Sequence, residues 1–461
     1  MVNIMEINII SRDTIKPSLD SSSLHHLSPF KLSIVDQLTP ATYMPVIFFY
    51  PITQSHPESS SFNLSETITR LKSSLSETLT LYYPFSGRAK NNIYVHDFDT
   101  GIPFLEARVN CRMIEFLKLQ ENELLNQFVP LHPLCKETGD DSLLPMIAFQ
   151  VNIFACGGIA IGGSTFHKLC DGLAVNCILE SWAAIFRGER DKIILPNFSQ
   201  SSLVFPPRAL LPKKILDLVD SFWFKENNYV TRRFVFSVNA IATLKEKSKS
   251  QCVPKPSRID ALPCFIWKHA MASSQALSPG TSPRTSIVAH AMNLRTLIKP
   301  QMSSANIIGN FFWWATTVAD SSKLEEAHEL CDLVNLINES LKGYDKDYFE
   351  SLQGEEGFGG ICEYFNQMEV PFSSKSPPEV YIFINWTSIF HKLDFGWGKP
   401  FWVGLIGKVG PAFRNTTIFM ESQWGKGIEA WVTLEEKQMD VLVKDPEFLA
   451  FASPNPGISI M

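Results

Sequence analysis

The sequence predicts an α/β protein with two domains. The chain has 461 residues, and a single hydrophobic core stops growing at about 250–300 residues, so two cores are expected. Its composition, 45% hydrophobic and 19% charged, is typical of a globular protein. Segments with strand alternation and segments with helical spacing follow one another in both halves, without an internal repeat. This order favours layered sheets with helices packed against them.

The first half opens with a strand, a helix and a second region of alternation. The apolar run from Met44 to Tyr50 predicts a buried strand. Apolar residues recur every three or four positions from Ser65 to Leu81, which predicts an amphipathic helix that ends before Pro84. Alternation from Ile93 to Val109, with a turn at 99–101, predicts a hairpin or another pair of strands.

Two more strands lead to the middle of the chain. The runs Met146 to Phe154 and Ile159 to Phe166 are joined by a tight turn that contains two glycines. Helical spacing then extends from Gly172 to Phe186. His167 is therefore predicted to lie between the end of a strand and the start of a helix.

A connector between the halves is predicted at residues 195–225, which contain four prolines and no clear periodicity. We place the boundary near Pro212, which gives domains 1–212 and 213–461. The second half is predicted to contain a strand at 232–236, a helix at 259–272, strands at 286–294 and 309–318, a charged helix at 323–344 and a strand-rich tail at 381–434.

Charge and cysteine usage exclude several classes of function. The chain has 41 Lys and Arg against 47 Asp and Glu, and no basic run could follow a phosphate backbone, so nucleic acid is not an expected partner. Nine cysteines are scattered without a C-x-x-C pair, which is typical of reduced thiols in the cytoplasm. No signal peptide or membrane-spanning run is visible. We expect a soluble, monomeric cytoplasmic protein.

The candidate catalytic residue is His167, in an H-x-x-x-D-G segment that continues through Asp171 and Gly172. If a helix begins at His167, Asp171 lies on the same side of its first turn. The spacing alone is weak evidence, but small residues at 162–164 would let the imidazole project into a cleft. A neutral imidazole is well suited to accept a hydroxyl proton. The alternative is a core histidine that satisfies one hydrogen bond.

A second motif, the D-F-G-W-G segment at 394–398, follows in the second half. In order and separation the two motifs resemble those of the plant BAHD acyltransferase family. Shorter matches extend the resemblance over nearly the whole chain. They lie at residues 35–38, 79–88, 101–104, 156–158, 293–295, 309–310 and 427–431.

This resemblance implies a two-domain, chloramphenicol acetyltransferase-like α/β fold. Each domain would be a mixed sheet with flanking helices, and a channel would run between the domains. Acyl-CoA, the co-substrate, would enter from one face and an alcohol from the other. His167 would remove the proton from the acceptor hydroxyl, which would then attack the thioester. The resemblance implies no covalent acyl-enzyme, and we expect no permanently bound cofactor.

The resemblance also assigns supporting roles. Asp171 would pair with Arg295 and act structurally. Asp394 would anchor a tight turn that Gly396 and Gly398 permit, near the CoA channel and away from the reacting carbonyl.

Contacts with CoA phosphates are expected at the start of the helix near residue 259. Lys255, Ser257 and Arg258 are the candidates, because backbone N–H groups at a helix N-terminus favour phosphate. The alternative is a solvated basic turn.

The sequence departs from the family pattern ahead of the second motif. Many members have a Thr/Ser-x-Trp whose hydroxyl can support the oxyanion, but Ile384 stands at that position, followed by Asn385 and Trp386. The side-chain amide of Asn385 or the indole N–H of Trp386 is a candidate replacement donor.

Other functions fit less well. A Ser164, His167 and Asp171 hydrolase triad lacks the G-x-S-x-G elbow, and an extended strand would place Ser164 and His167 on opposite faces. A metal site is not expected, because the other nine histidines show no ligand-like spacing. A binding protein of the same fold without catalysis remains an alternative.

The substrates are only partly indicated. Similarity of residues 427–431 and of the Pro51 region to the alkaloid-acetylating branch favours acetyl-CoA, with benzoyl- or hydroxycinnamoyl-CoA as open alternatives. The aromatic cluster at 311–314 favours an apolar acceptor, such as a terpenoid or alkaloid alcohol.

Overall fold

A computed structural model describes residues 5–51, 63–137, 140–298, 306–327, 329–374, 376–411, 413–422 and 427–458. Within these residues the strands are β1 Ile7–Ile15, β2 Phe30–Lys31, β3 Tyr43–Tyr50, β4 Arg88–Lys90, β5 Tyr94–His96, β6 Ile102–Val109, β7 Ile147–Phe154, β8 Ile159–Phe166, β9 Tyr229–Ser237, β10 Ser286–Asn293, β11 Phe312–Ala319, β12 Glu379–Asn385, β13 Trp402–Gly404, β14 Thr416–Glu421, β15 Gly427–Glu435 and β16 Ala452–Pro454.

The α-helices of the same residues are α1 Ser21–His25, α2 Ile34–Leu38, α3 Leu64–Leu81, α4 Met113–Lys118, α5 Gly172–Arg187, α6 Gln200–Val204, α7 Lys213–Trp223, α8 Val238–Lys247, α9 Arg258–Ala276, α10 Ser321–Glu326, α11 Leu330–Leu341, α12 Lys346–Ser351, α13 Phe358–Phe372, α14 Glu436–Leu442 and α15 Pro446–Leu449. Short 3-10 turns include Leu294–Thr296. None of the helices described is long and apolar enough to cross a lipid bilayer.

The first sheet has the strand order β1-β6-β7-β8-β3-β13. Only its β6 and β7 run parallel, among the strand pairs described. Every residue of β3, β7 and β8 is buried, because both faces are covered. Helix α5 packs on this sheet through Trp182, whose ring centroid lies 4.8 Å from that of Phe149. Its last strand, β13, comes from the second half of the chain.

The second sheet has the order β11-β10-β12-β14-β15-β9-β16, with β10, β12 and β14 parallel to one another. Alternation along β12 sorts its side chains between two clusters. Tyr381 and Phe383 pack into the cluster formed with α9 and α11, whereas Val380 and Ile382 belong to the core shared with the first half. This sheet therefore separates the interface between the halves from the outer helices.

The predicted fold class is confirmed: the protein has a mixed α/β fold with two large mixed sheets. The strands predicted at 44–50, 146–154 and 159–166 and the helices at 65–81, 172–186 and 259–272 are present with small shifts of their ends. The predicted domain boundary near Pro212 stays a prediction, since this topology does not test it.

The predicted pairing of strands between Ile93 and Val109 is wrong. The chain does turn at residues 97–101, but β5 pairs with β2 and β4 in a three-stranded sheet, whereas β6 lies between β1 and β7. Alternation identifies a strand and its buried face, but it does not identify the partner.

Two helix predictions also need correction. The predicted connector contains α6 and α7, and α7 buries Ile215, Leu218, Val219 and Phe222 at helical spacing. The prolines concealed this pattern. The single helix predicted at 323–344 is two helices, α10 and α11, with a capping box of Glu329 and Asp332 at the start of the second. Residue 328, between them, lies outside the described residues.

Candidate active site

A cavity of about 340 Å³ lies between the two halves, beside His167. On one side it is lined by residues of β3 and by the segment that follows β8, and on the other by residues of β10, β11, β12 and β14. Much of the lining is apolar. Among its large side chains are Met44, Trp223, Phe312, Trp314, Phe413 and Ile418.

His167 follows the last residue of β8 and is held through its backbone. Its N–H donates to the carbonyl of Thr42 at 2.9 Å, and its carbonyl accepts from Asn310 Nδ2 at 2.7 Å. The ring lies beside Trp223 and Phe312, with centroid distances of 6.1 and 6.2 Å. Only 7% of the residue is exposed, and burial lowers the pKa of His167 because the imidazolium loses hydration.

The two nitrogens of this imidazole differ in access. Nδ1 is buried and has no hydrogen-bond partner among the described residues. Because Nδ1 is closed off and the residue lines the cavity, Nε2 is the nitrogen that a substrate can reach.

Asp171 does not share a helical turn with His167, contrary to the sequence-based expectation. Residues 167–169 form a turn, and α5 begins only at Gly172. Asp171 is the N-cap of α5, and its Oδ1 accepts from the N–H of Ala174 at 3.0 Å. An aspartate at this position satisfies a free backbone donor of the first turn.

The carboxylate of Asp171 forms a bidentate pair with Arg295. The guanidinium nitrogens lie 2.7 Å from Oδ2 and 3.1 Å from Oδ1. The N–H of Phe311 also donates to Oδ2 at 2.9 Å, and Arg295 donates to the carbonyl of Ile307 at 2.9 Å. Both partners are buried, so this pair joins the start of α5 to the second half.

A buried carboxylate that the sequence analysis gave no role also supports His167. Asp36 Oδ1 accepts from the backbone N–H and Nδ2 of Asn310 at 2.6 and 2.9 Å, and Oδ2 accepts from the N–H and Oγ of Ser33 at 2.7 and 2.8 Å. Burial raises the pKa of Asp36 to about 7, against the four donors, which lower it. The sequence feature that could have identified Asp36 is the Ser33-x-x-Asp36 spacing, which is typical of a capping box.

Gly172 allows an indole to approach the helix start. A Cβ built on Gly172 would lie 2.8 Å from Nε1 and 2.9 Å from Cε2 of Trp386. Trp386 lines the cavity, so the glycine sets how far this ring can reach toward α5.

We expect Gly172→Ala to displace Trp386 and to destabilise the protein by about 1–3 kcal/mol, because the added methyl overlaps the indole. A lower melting temperature, with a shift in tryptophan fluorescence, would show this. The matched control is Gly359→Ala, at an exposed helical site where the new Cβ meets nothing within 4 Å. Equal melting temperatures of the two variants would contradict the prediction.

Asn385 and Trp386 lie at the cavity as candidate donors, and Ile384 lines it without a polar group. The side-chain oxygen of Asn385 accepts from the N–H and Oγ1 of Thr387 at 3.1 and 2.8 Å. This local turn leaves the Nδ2 amide as the group of Asn385 that can donate to a substrate.

The D-F-G-W-G segment forms a tight turn away from the cavity. Asp394 Oδ1 accepts from the N–H groups of Gly396 and Gly398 at 2.7 and 3.0 Å. Both glycines have positive φ, 98° and 99°, which other residues rarely adopt. Phe395 is buried against Trp182 of α5, with ring centroids 5.0 Å apart, and residues 394–398 do not line the cavity.

Comparison with known proteins identifies the family. The sequence profile of the Transferase family matches residues 5–449. The chain belongs to this family, the BAHD acyltransferases. The chain is similar to akuammiline synthase 2 from Alstonia scholaris (36% identical, 98% of each chain covered) and to limonoid 7-O-acetyltransferase from Citrus sinensis (36%, 98% of this chain and 99% of that one).

A solved BAHD structure has the same fold. The crystal structure of vinorine synthase superposes with a TM-score of 0.79 at 28% identity, over 97% of this chain and 99% of that chain. The family predicted from the two motifs is thus confirmed.

A second cavity of about 220 Å³ adjoins the first in this BAHD acyltransferase. The two share Ala291, Ile384 and Asn385 in their lining, at the ends of β10 and β12. The far wall of the second cavity includes Ile259 and Asp260, from the first turn of α9. Asn385 therefore lines both cavities.

The three candidate CoA-binding residues lie at the start of α9 and do not line the His167 cavity. Ser257 is the N-cap, and its Oγ accepts from the N–H groups of Ile259 and Asp260, both at 3.2 Å. Arg258 pairs with Glu421 at 3.1 Å, and Lys255 is exposed. No group of three His, Cys, Asp or Glu side chains that could hold a metal ion occurs among the described residues.

Proposed function

We propose that this BAHD acyltransferase transfers an acetyl group from acetyl-CoA to a hydroxyl of an apolar plant terpenoid or alkaloid alcohol, with His167 as the general base. The observation that carries the proposal is the single reachable nitrogen of His167 at an apolar cavity that adjoins a second one. The first cavity would hold the acceptor and the second the donor.

In the proposed reaction His167 Nε2 takes the proton of the acceptor hydroxyl as its oxygen attacks the thioester carbonyl carbon. The carbon–oxygen bond forms, and the carbonyl oxygen becomes an oxyanion. When the oxyanion collapses, the carbon–sulfur bond breaks. The departing thiolate takes the proton from His167, which gives free CoA and the ester and restores the neutral imidazole.

The cavity walls favour an uncharged acceptor. Trp223, Phe312, Trp314 and Phe413 provide flat apolar surfaces, and the charges of Asp171 and Arg295 are already paired with each other. Such a lining binds a rigid apolar skeleton by shape, with a few polar groups to orient it.

Acetyl is the proposed acyl group because relatives with about a third of their residues identical include a limonoid 7-O-acetyltransferase. Benzoyl- and hydroxycinnamoyl-CoA are the alternative donors, and a small-molecule-binding protein without catalysis is the alternative function. We further propose that the chain acts as a cytoplasmic monomer, without nucleic acid or membrane partners.

The remaining candidate residues have proposed supporting roles. The Asp171–Arg295 pair and Gly172 would fix the start of α5 and the indole of Trp386. The turn of Asp394, Gly396 and Gly398 would brace α5 from its other side, since Arg187 of α5 donates to the carbonyl of Asp394.

Lys255, Ser257 and Arg258 are proposed to meet the CoA phosphates at the start of α9. The contact of Arg258 with Glu421 means that Arg258 would have to share its guanidinium between that carboxylate and a phosphate.

The proposed function is tested by thioester consumption. Purified protein is mixed with acetyl-, benzoyl- or hydroxycinnamoyl-CoA, with and without a plant terpenoid and alkaloid fraction, and free thiol and product masses are followed. We expect acceptor-dependent thiol release with acetyl-CoA and a product heavier by one acetyl group. If the concentration of free CoA stayed at background with every donor, the proposed enzymatic function would be refuted and a binding protein favoured.

The acidic limb of the pH profile is predicted from the lowered pKa of His167. Because only the neutral imidazole accepts a proton, kcat/KM should fall as the pH drops through this pKa. The inflection should lie below 6.5, the ordinary value for histidine. Initial rates at saturating acetyl-CoA between pH 4.5 and 8 test this, after incubation controls for stability, and an inflection above 6.5 would contradict it.

The oxyanion donors are predicted to be Asn385 Nδ2, Trp386 Nε1 or both. We expect the Asn385→Ala, Trp386→Phe double variant to lower kcat by about 10²–10³-fold, the usual effect of one lost oxyanion donor. The single variants show which side chain is responsible, and Ser388→Ala, another polar residue of the same cavity lining, is the control. Unchanged turnover of the double variant would exclude both donors.

A further inference from the structure

A third cavity, of about 330 Å³, lies at the opposite end of the second sheet from Asn385. It is formed at the start of β9, β12 and β14 and at the end of β15 and α9. None of its described lining residues lines the His167 cavity or the cavity that adjoins it. It is therefore separate from the proposed active site.

The centre of this cavity is a buried guanidinium, that of Arg414. The residue is 5% exposed. One Nη donates to the carbonyl of Ser221 at 2.5 Å and the other to that of Pro378 at 3.3 Å, while Nε has no partner. No carboxylate of the described residues lies within ion-pair distance of Arg414. Glu379 interacts with this guanidinium electrostatically, but only from beyond that distance. A buried charge without a close counter-ion is unfavourable, so this site is incomplete.

Neighbouring polar groups complete the lining. Asn415, 9% exposed, lines the cavity as well, and its Nδ2 is the atom that can donate to an anion, since its buried Oδ1 is an acceptor. Tyr229 lines the same cavity, and burial raises the pKa of Tyr229 to about 12, so its hydroxyl stays protonated and able to donate. Gln438, 5% exposed, adds an amide.

The charges around the cavity favour an anion. Lys225, Arg284 and Lys437 line it together with Arg414, against the carboxylates of Glu379 and Glu435. Glu379 is already engaged, because its carboxylate accepts from the hydroxyls of Tyr381, at 2.7 Å, and Ser274. Glu379 also lies 3.9 Å from Arg284. The four cations still outnumber the two acidic groups, and the most deeply buried cation, Arg414, has no carboxylate within ion-pair distance among the described residues.

We propose that this cavity binds a small oxyanion, the carboxylate or phosphate group of a metabolite, against the guanidinium of Arg414. The planar fork of an arginine matches two oxygens of either group. Lys225 and Lys437, both exposed, would attract the anion at the rim. The volume is at the lower end of small-molecule sites, which occupy about 300–1,000 Å³, so a small metabolite has room.

Calorimetric titration of the whole protein tests this proposal. Inorganic phosphate and succinate are titrated separately at constant ionic strength in chloride, with saturating CoA present to fill any phosphate site for the donor. We expect saturable binding of one anion per chain. Binding of phosphate alone, of succinate alone or of both identifies the anionic group, and saturable binding of neither overturns the proposal.

Variants locate the site. Arg414→Gln should weaken binding by about 10-fold or more, as expected for a lost hydrogen bond to a charged group, and the Lys225→Ala, Lys437→Ala double variant should weaken it more modestly. The control is Lys213→Ala with Lys247→Ala, two exposed lysines outside the cavity. If Arg414→Gln does not fold, the Lys225→Ala, Lys437→Ala variant tests the site in its place. If that variant binds the anion as tightly as the control variant does, the proposal is overturned. The titration needs no acyl transfer, so its result is independent of the proposed enzymatic function.

Discussion

His167→Ala is expected to lower kcat/KM by about 10²–10⁴-fold, the usual contribution of a general base, while the melting temperature changes little. The backbone of His167, held by Thr42 and Asn310, does not need the side chain. Its ring lies beside Trp223 and Phe312, with centroids 6.1 and 6.2 Å away, and its Nδ1 has no hydrogen-bond partner among the described residues, so the fold should survive its removal. Initial rates with acetyl-CoA and the best acceptor measure the effect.

Rescue by added imidazole separates a base from a structural residue. Removal of the ring leaves space beside Trp223 and Phe312, on the wall of a cavity that is open to substrate. Free imidazole can enter that space and accept the proton, so the rate of His167→Ala should rise with imidazole concentration. The control is His391→Ala, an exposed histidine, which should match the unmodified protein. Ester formation by His167→Ala at the unmodified rate would refute the assigned role.

The sequence was sufficient to predict the main strands and helices of the first half and the position of His167 between two of them. Apolar runs and helical spacing are local, so they predicted β3, β7, β8, α3 and α5 close to their observed ends. The strand before His167 and the helix after it could be predicted for the same reason. The Asp171–Arg295 pair was expected only through the family resemblance, because 124 residues separate its members.

The parts that could not be predicted depend on long-range pairing. Nothing local indicates that β6 pairs with β1 and β7 rather than with β5, or that Glu421 faces Arg258. The position of Asp171 before the helix, rather than within it, has a local cause, since its side chain caps the first turn. It was missed because the helix was assumed to begin at His167. The link from Asp36 to His167 was overlooked because it passes through Asn310, which lies 274 residues from Asp36 in the chain.

Asp171→Ala is expected to destabilise the protein by about 3–5 kcal/mol, because it leaves a buried guanidinium without its partner. Yield of soluble protein and the melting temperature measure this. Asp171→Asn should lose less stability than Asp171→Ala, because an asparagine Oδ1 can still accept from the N–H of Ala174 and keep the cap of α5.

The two partners should not be equivalent. After Arg295→Met the carboxylate of Asp171 still accepts from the backbone N–H groups of Ala174 and Phe311. After Asp171→Ala, by contrast, Arg295 keeps only the carbonyl of Ile307 among the hydrogen-bond partners described, and both backbone donors lose their acceptor. Asp171→Ala should therefore lower the melting temperature more than Arg295→Met.

The double variant Asp171→Ala, Arg295→Met removes both charges and should melt above Asp171→Ala, because no unpaired guanidinium remains buried. Lys249→Met, which removes a lysine whose partner Glu246 is exposed, is the control for an exposed ion pair and should lose about 1 kcal/mol or less. Equal melting temperatures of the two single variants would contradict the predicted difference between the partners. If the double variant were as unstable as the sum of both, the carboxylate and the guanidinium would act independently. The start of α5 would then be fixed by its backbone contacts and by Trp386 rather than by the ion pair.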